Sequence, residues 1–214
     1  MKYGMKSVSA ATILTALIVF CTSSESQAGW LVSGASRWET FSFRPENIEK
    51  TPNYYGYGLS LHGGYSVGQV FDIALFFDYV PASMGVLRSP LISDARLSFL
   101  GIEFAGRIAK SVYFAVRGGS LAYSLSKVRS EDEVTGKWVG LAAGASIGGM
   151  FAVSRVRFWQ ASLDLASSGQ MAKTDGAPSD TLRRFDMVAV SLGYTFNSLD
   201  TGGRSIFGDF LGSL

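Results

Sequence analysis

Cysteine and histidine are almost absent from this chain of 214 residues, which has 1 Cys and 1 His. Neither a disulfide framework nor a metal centre of Cys and His ligands is therefore expected. Charged residues make up only 17% of the sequence, the formal net charge is +2 and no run of Lys or Arg occurs, so nothing indicates a nucleic-acid partner. After residue 28, no stretch approaches the ~18 consecutive apolar residues of a transmembrane helix. Disorder is excluded because 47% of the residues are hydrophobic and 13% are aromatic.

Residues 1–28 predict a cleaved signal peptide. Lys2 and Lys6 provide a positive start, Ala10–Phe20 is an uncharged apolar run, and Ser26–Ala28 places small residues at the −3 and −1 positions of a cut before Gly29. The alternative, an N-terminal membrane anchor, is disfavoured because the apolar run is well short of the roughly 20 residues that a spanning helix needs.

The single cysteine, Cys21, leaves a lipoprotein signal as a second alternative. The residue before it, Phe20, disfavours this alternative, because lipoprotein signals have a small residue immediately before the cysteine. Cleavage after Ala28 removes two Lys, one Glu and the cysteine, so the mature chain has a net charge of +1 and no thiol chemistry.

Apolar and polar residues alternate repeatedly in the mature chain. The clearest example is Tyr55–Val67, in which large apolar side chains occupy one face and Gly, Ser and His the other. This period of two predicts β-strands, because successive side chains of a strand point to opposite faces. The runs predict eight strands, at about 30–41, 55–67, 70–80, 97–108, 112–124, 138–149, 155–166 and 184–196.

The connections between these strands alternate in length. The long ones are 42–53, 81–96, 125–137 and 167–183, and the short ones are 67–69, 109–111 and 150–154. Long external loops and short periplasmic turns are typical of outer-membrane barrels. The sequence therefore predicts an all-β fold, an eight-stranded antiparallel up-and-down transmembrane β-barrel over residues 29–197, with residues 198–214 as a periplasmic tail. A soluble periplasmic barrel is the alternative.

Large aromatic residues share the face that would contact lipid. Trp30 and Trp38 are separated by roughly 20 Å along the membrane normal at ~3.3 Å per residue and ~40° tilt, close to the ~25 Å apolar band of such barrels. Tyr and Trp suit the membrane boundary because their rings are apolar and carry a polar group. A turn centred on Gly68 would place Tyr57 opposite Tyr79 and Tyr65 opposite Phe71. The predicted aromatic girdle is Trp30, Trp38, Tyr57, Tyr79, Tyr65 and Phe71.

Charged side chains fall on the opposite face, which would line the lumen. A turn centred on Lys110 places Glu103 opposite Arg117, within reach of a direct ion pair. Alternatively, each of the two points to other charged residues of the lumen. The predicted lumen charge network is Arg37, Asp72, Asp78, Glu103, Arg107 and Arg117.

The signal peptide, the alternating connections and the final strand, ending Tyr194-Thr195-Phe196, resemble the small eight-stranded outer-membrane barrels of the OmpA/OmpX type. The resemblance implies a cell-envelope location in the outer membrane of a Gram-negative-type bacterium. It also implies contact with outer-membrane lipids and insertion by the barrel-assembly machinery, with Tyr194 and Phe196 as the C-terminal strand signature.

The sequence predicts no catalytic residue, cofactor or metal site. Ser60 and His62 share one face, but side chains at i and i+2 are about 7 Å apart, beyond hydrogen-bond reach. We therefore expect a structural or surface-interaction role for a monomer, with extracellular loops as the contact surface and an unknown extracellular ligand. The alternatives are a small low-conductance channel and a lipid-modifying enzyme resembling a lipid A deacylase or acyltransferase.

Overall fold

The computed structural model describes residues 28–45, 53–67, 70–85, 95–109, 111–125, 136–174 and 182–198. The predicted signal peptide up to residue 27 and the tail after Ser198 lie outside these ranges. Within them, no helix is long and apolar enough to cross a membrane.

Most of the described residues form β-strands. They are β1 (Ala28–Pro45), β2 (Asn53–Val67), β3 (Phe71–Gly85), β4 (Ala95–Ala109), β5 (Val112–Leu125), β6 (Gly136–Ser154), β7 (Arg157–Ser168), β8 (Ala172–Lys173) and β9 (Leu182–Asn197).

The strands close into a barrel. Each of β1 to β7 pairs antiparallel with its sequence neighbour, β9 pairs with both β7 and β1, and the two-residue β8 extends along β6. The wall therefore consists of eight long strands, and the predicted all-β, eight-stranded antiparallel barrel is confirmed. We call the end with the short connections between β2 and β3, β4 and β5, and β6 and β7 the turn end, and the opposite end the loop end.

Several strands are longer than predicted. β1 continues to Pro45, and β6 continues through Met150–Ser154, which had been predicted as a short connection. Beyond Ser42 and Gly149 these extensions pair with one neighbouring strand each, β9 and β7, and backbone hydrogen bonds to that strand form regardless of side-chain pattern. Pro81 lies in β3, where the β2–β3 register shifts opposite Gly58, and a bulge of this kind tolerates proline.

The hairpin registers give one wrong and one correct prediction. In β2–β3, Val67 pairs with Phe71 and Tyr65 with Ile73, so the predicted Tyr65/Phe71 pair is wrong by two residues. The predicted Tyr57/Tyr79 pair is wrong by three, because the register shifts between Tyr57 and Leu59 and Tyr57 pairs with Ala82. Tyr65 and Phe71 keep their predicted face because a shift of two preserves the alternation. In β4–β5, Glu103 pairs with Arg117, as predicted.

Inward side chains fill the barrel in layers. At the loop end a closely packed group, here called the aromatic plug, consists of Phe41, Tyr54, Phe76, Phe99, Tyr123, Trp138 and Phe185 with surrounding aliphatic and Met side chains. The middle of the barrel carries charges. Near the turn end, Tyr113, Ala115, Met150 and Phe158 form a second buried cluster.

Met171 completes the aromatic plug. β7 ends at Ser168, and β8 resumes the pairing with β6 after a three-residue bulge. The bulge turns the fully buried side chain of Met171 into the plug, against Gly140. Any Cβ at position 140 would collide with Met171, so glycine is required there.

We predict that Gly101→Ala lowers the free energy of unfolding by about 1–3 kcal/mol, the usual cost of overpacking. Gly101 and Gly119 face each other across β4–β5, and a Cβ on Gly101 would overlap the backbone of Gly118 and Gly119. Urea unfolding in lipid vesicles measures the effect. Gly63→Ala is the control, because a Cβ there meets no atom within 4 Å. Equal stability of the two variants would contradict the close approach.

Candidate functional site: the charged lumen

Two arginines and two aspartates form a closed ring across the middle of the lumen. Arg37 Nη1 lies 3.0 Å from Asp78 Oδ2 and 3.0 Å from Asp164 Oδ2. On the opposite side, Arg117 Nη1 lies 2.9 Å from Asp78 Oδ2, and its Nη2 lies 2.7 Å from Asp164 Oδ1. We call these four residues the charge ring. Its charges alternate and all four side chains are buried, so each ion is compensated on two sides.

Two glutamates attach to the charge ring. Glu39 Oε2 accepts a hydrogen bond from Arg37 Nε at 2.8 Å, while Glu39 Oε1 has no hydrogen-bond partner among the described residues. Glu103 Oε2 lies 3.8 Å from Arg117 Nε. The predicted Glu103–Arg117 ion pair is thus present, but Arg117 makes shorter contacts with both aspartates of the ring.

His62 links Glu103 to the ring through Ser60. His62 Nδ1 lies 3.2 Å from Glu103 Oε1, its Nε2 lies 2.8 Å from Ser60 Oγ, and Ser60 Oγ donates a hydrogen bond to Asp78 Oδ1. The expectation that Ser60 and His62 are beyond hydrogen-bond reach is wrong. The imidazole leans along the strand toward the hydroxyl, and strand side chains commonly lean in this way.

Side chains from all eight barrel strands meet in this layer. Two strands contribute only a serine: Ser146 of β6 accepts a hydrogen bond from Arg117 Nη2, and Ser191 of β9 donates to Asp164 Oδ2 at 2.8 Å. The charge ring with Glu39, Ser60, His62, Glu103, Ser146 and Ser191 is called the central layer below.

The structure brings together four of the six residues predicted as the lumen charge network. Arg37, Asp78, Glu103 and Arg117 are in the central layer. Arg107 and Asp72 form a separate pair nearer the turn end, with Arg107 Nη2 4.0 Å from Asp72 Oδ2. Arg107 also lies over the ring of Phe158, 5.8 Å from its centroid.

The sequence prediction missed Asp164 and Glu39. Asp164 lies between Leu163 and Leu165, which both face outward, so alternation on β7 carried the signal for an inward carboxylate. Glu39 follows Arg37 by two residues and therefore shares its face.

The described part of the lumen contains small cavities beside the charge ring. Two small cavities adjoin His62 and Glu103 on the turn-end side of the charge ring, with volumes of about 10 and about 20 Å³. Such volumes hold about one water molecule each. Toward the loop end, Arg117 lies over Phe76, 5.4 Å from its centroid, so the central layer adjoins the aromatic plug. Among the described residues, no group of His, Cys, Asp and Glu is arranged to hold a metal ion.

The exterior is apolar and carries the predicted aromatic girdle. Trp30 and Tyr65 are in contact at the turn end, with ring centroids 4.6 Å apart, and Phe71 lies at the same end. Trp38 pairs with Tyr57 nearer the loop end. These five side chains are exposed, and Tyr79 is half-buried on the same face. Tyr194 and Phe196 of β9 also point outward.

Comparisons with known proteins identify the fold. Searches of protein-family models and of curated proteins give no match. Among solved structures, the chain is similar to the crystal structure of Neisserial surface protein A (NspA), with a TM-score of 0.59, 14% sequence identity and coverage of 79% of this chain and 98% of that chain. The chain has the fold of the small outer-membrane β-barrels.

Other solved structures are also similar to the chain. Outer membrane protein AlkL in DMPC lipid bilayers gives a TM-score of 0.47 with 12% identity, covering 80% of this chain and 90% of that chain. Ail, the attachment invasion locus protein of Yersinia pestis, gives 0.45 with 16% identity, covering 78% and 99%.

The outer-membrane barrel fold indicates what surrounds the outer surface and how the two ends of the barrel differ. The solved structures with this fold are Gram-negative outer-membrane barrels, and the apolar exterior of this chain suits a lipid environment. In this fold the short turns lie in the periplasm and the long connections outside the cell. The aromatic plug lies at the loop end of the lumen, and the two small cavities lie toward the turn end.

We predict that Arg117→Ala lowers the free energy of unfolding by about 3–5 kcal/mol, since it leaves buried carboxylates without their cation. Urea unfolding in lipid vesicles measures the loss. Arg184→Ala is the matched control: Arg184 pairs with Asp186 at 2.8 Å, but their side chains are 63% and 42% exposed, so we expect a loss below about 1 kcal/mol. Similar losses in both variants would show that the charge ring is not a special stabilising contact.

Proposed function

We propose that this protein is a pore-less envelope barrel that acts as a structural and surface-contact element, with the extracellular loops as the contact surface. The observation that carries the proposal is the filled lumen. A barrel of eight strands is just wide enough for side chains to fill it. Here the aromatic plug and the central layer occupy two successive levels of that space.

The filled lumen argues against the channel alternative. The side chains of the central layer span the barrel, with Arg37 on β1 reaching Asp164 on β7, and Arg117 on β5 reaching Asp78 on β3. A solute would have to separate buried ion pairs and then displace close-packed aromatic rings. The two barriers are in series, so weakening one still leaves the other closed.

The arrangement of Ser60, His62 and Glu103 resembles a hydrolase triad, which makes the enzyme alternative worth testing. Two features speak against it. The Ser60 hydroxyl proton is directed to Asp78, so the histidine does not receive it, and Ser60 is buried beside a cavity of about 10 Å³. That volume holds about one water molecule and leaves no space for a lipid acyl chain. We therefore propose that this group is structural.

The remaining contacts of the protein follow from its exterior. We propose a monomer, because a continuous girdle of aromatic and aliphatic side chains suits lipid around the whole wall. We further propose insertion by the barrel-assembly machinery through β9, in which the outward side chains of Tyr194 and Phe196 lie near the C-terminal end of the strand.

Planar-bilayer recordings test the absence of a pore. We expect no stepwise conductance from the wild-type protein under conditions in which a general porin conducts. Trp138→Ala, which thins the aromatic plug but leaves the central layer intact, is expected to remain silent as well. Stable single-channel steps from the wild-type protein would overturn the proposal.

The surface role is tested by replacing residues 86–94 and 126–135, which lie within two of the long connections, with Gly and Ser of equal length. Cells bearing this variant should lose any surface attachment that the wild-type protein confers on a deletion strain. An unchanged shift in gel mobility on boiling is the control that the barrel still folds. Full attachment by the loop variant would contradict the proposal that the loops are the contact surface.

A further inference from the structure

The proton on Ser60 is fixed by its neighbour Asp78. The Asp78 carboxylate is paired with Arg37 at 3.0 Å and with Arg117 at 2.9 Å. A carboxylate held in this way accepts hydrogen bonds from its neighbours. The Ser60 hydroxyl therefore donates its single proton to Asp78 Oδ1.

That assignment determines both nitrogens of His62. Since the Ser60 proton is already directed to Asp78, the 2.8 Å contact between Ser60 Oγ and His62 Nε2 is a hydrogen bond only if Nε2 carries a proton. On the other side of the ring, His62 Nδ1 faces Glu103 Oε1 at 3.2 Å. Arg117 lies 3.8 Å from the second oxygen of Glu103 and favours its ionised form. Nδ1 must then also donate, and a ring that donates from both nitrogens is an imidazolium.

The charges of the central layer agree with this result. The layer has the carboxylates of Glu39, Asp78, Glu103 and Asp164, all buried, but only the guanidinium groups of Arg37 and Arg117. An unpaired buried carboxylate is costly. A cationic His62 reduces the excess negative charge and lies against Glu103, which is the carboxylate farthest from an arginine.

Two small cavities adjoin His62 on the side of the turn end. Both are lined by His62, Glu103, Tyr113 and Gln160, and the second extends toward Asp72 and Thr195 near the turn end. The aromatic plug lies at the loop end. The charged and titratable groups of the lumen around His62 are Arg37 and Glu39 (β1), Asp72 and Asp78 (β3), Glu103 (β4), Tyr113 and Arg117 (β5) and Asp164 (β7).

We propose that the folded lumen binds one proton on His62, which acts as the third cation of the central layer and links the stability of the barrel to periplasmic pH. The consequence has a definite sign. A histidine in an unfolded chain is largely neutral above about pH 7. Unfolding above that pH then releases the proton, so a rise in pH destabilises the barrel.

Nitrogen NMR of ¹⁵N-labelled protein in lipid vesicles tests the proposal directly, because His62 is the only histidine of the chain. The protein must be prepared without a histidine tag. At pH 7 we expect two protonated ring nitrogens in the wild-type protein. In Glu103→Gln we expect one ring nitrogen of His62 without a proton. Glu39→Gln is the control, because Glu39 belongs to the same layer but contacts Arg37 and not His62, and both ring nitrogens should remain protonated.

A bare ring nitrogen in the wild-type protein at pH 7 would overturn the proposal, and so would an unchanged imidazolium in a folded Glu103→Gln variant. If that variant does not fold, the wild-type spectrum still decides. Urea unfolding between pH 7 and 8.5 provides a second readout. For one released proton, the unfolding equilibrium constant rises by up to about tenfold per pH unit. His62→Gln should lose this part of the pH dependence, and equal slopes in the two proteins would contradict the linkage.

Discussion

The charge ring of Arg37, Asp78, Arg117 and Asp164 is the constraint on which the rest of the lumen depends. Four charges in the interior of a membrane-embedded barrel are tolerable only if each one is paired, and removing one member leaves its partners buried and uncompensated. The ring connects walls that are not adjacent, β1 with β3 and β7, and β5 with β3 and β7. Strand register and ring geometry therefore depend on each other, since a one-residue slip of any of these strands would turn its charge toward lipid.

The ring also decides what the barrel can do. Charged side chains reach across the lumen and fill it with ion pairs whose separation costs free energy. Arg117 also lies over the ring of Phe76, so the ion pairs are in contact with the aromatic plug. Small residues make the arrangement possible. Gly101 and Gly119 let two strands approach closely, and Gly140 leaves room for Met171. On the outer surface the distribution of apolar side chains is the reverse of that in a soluble barrel. They face lipid here, whereas a soluble barrel would bury them in its interior.

The positions of short connections and of strand irregularities explain which registers the sequence could predict. In β4–β5 the strands end at Ala109 and Val112, closer to the connection than predicted, but an irregularity between Arg107 and Ala109 restores the predicted register, so Glu103 pairs with Arg117. In β2–β3 the strands end at Val67 and Phe71, which shifts the register by two residues, and neither this shift nor the irregularity opposite Gly58 is visible in the alternation. The error of two residues changed the cross-strand partners but kept Tyr65 and Phe71 on the outer face, because the period of a strand is two.

The sequence by itself determined the strands, their faces and the alternation of short and long connections, since these depend on side-chain periodicity and local turns. It thereby placed the girdle outside and most of the charges inside. Only the tertiary structure decided which charges meet. Asp164 and Arg37 are 127 positions apart, and their contact exists because β9 pairs with both β7 and β1 and closes the wall. The Ser60–His62–Glu103 contact likewise depends on how an imidazole leans within a filled lumen, which alternation along a strand does not encode.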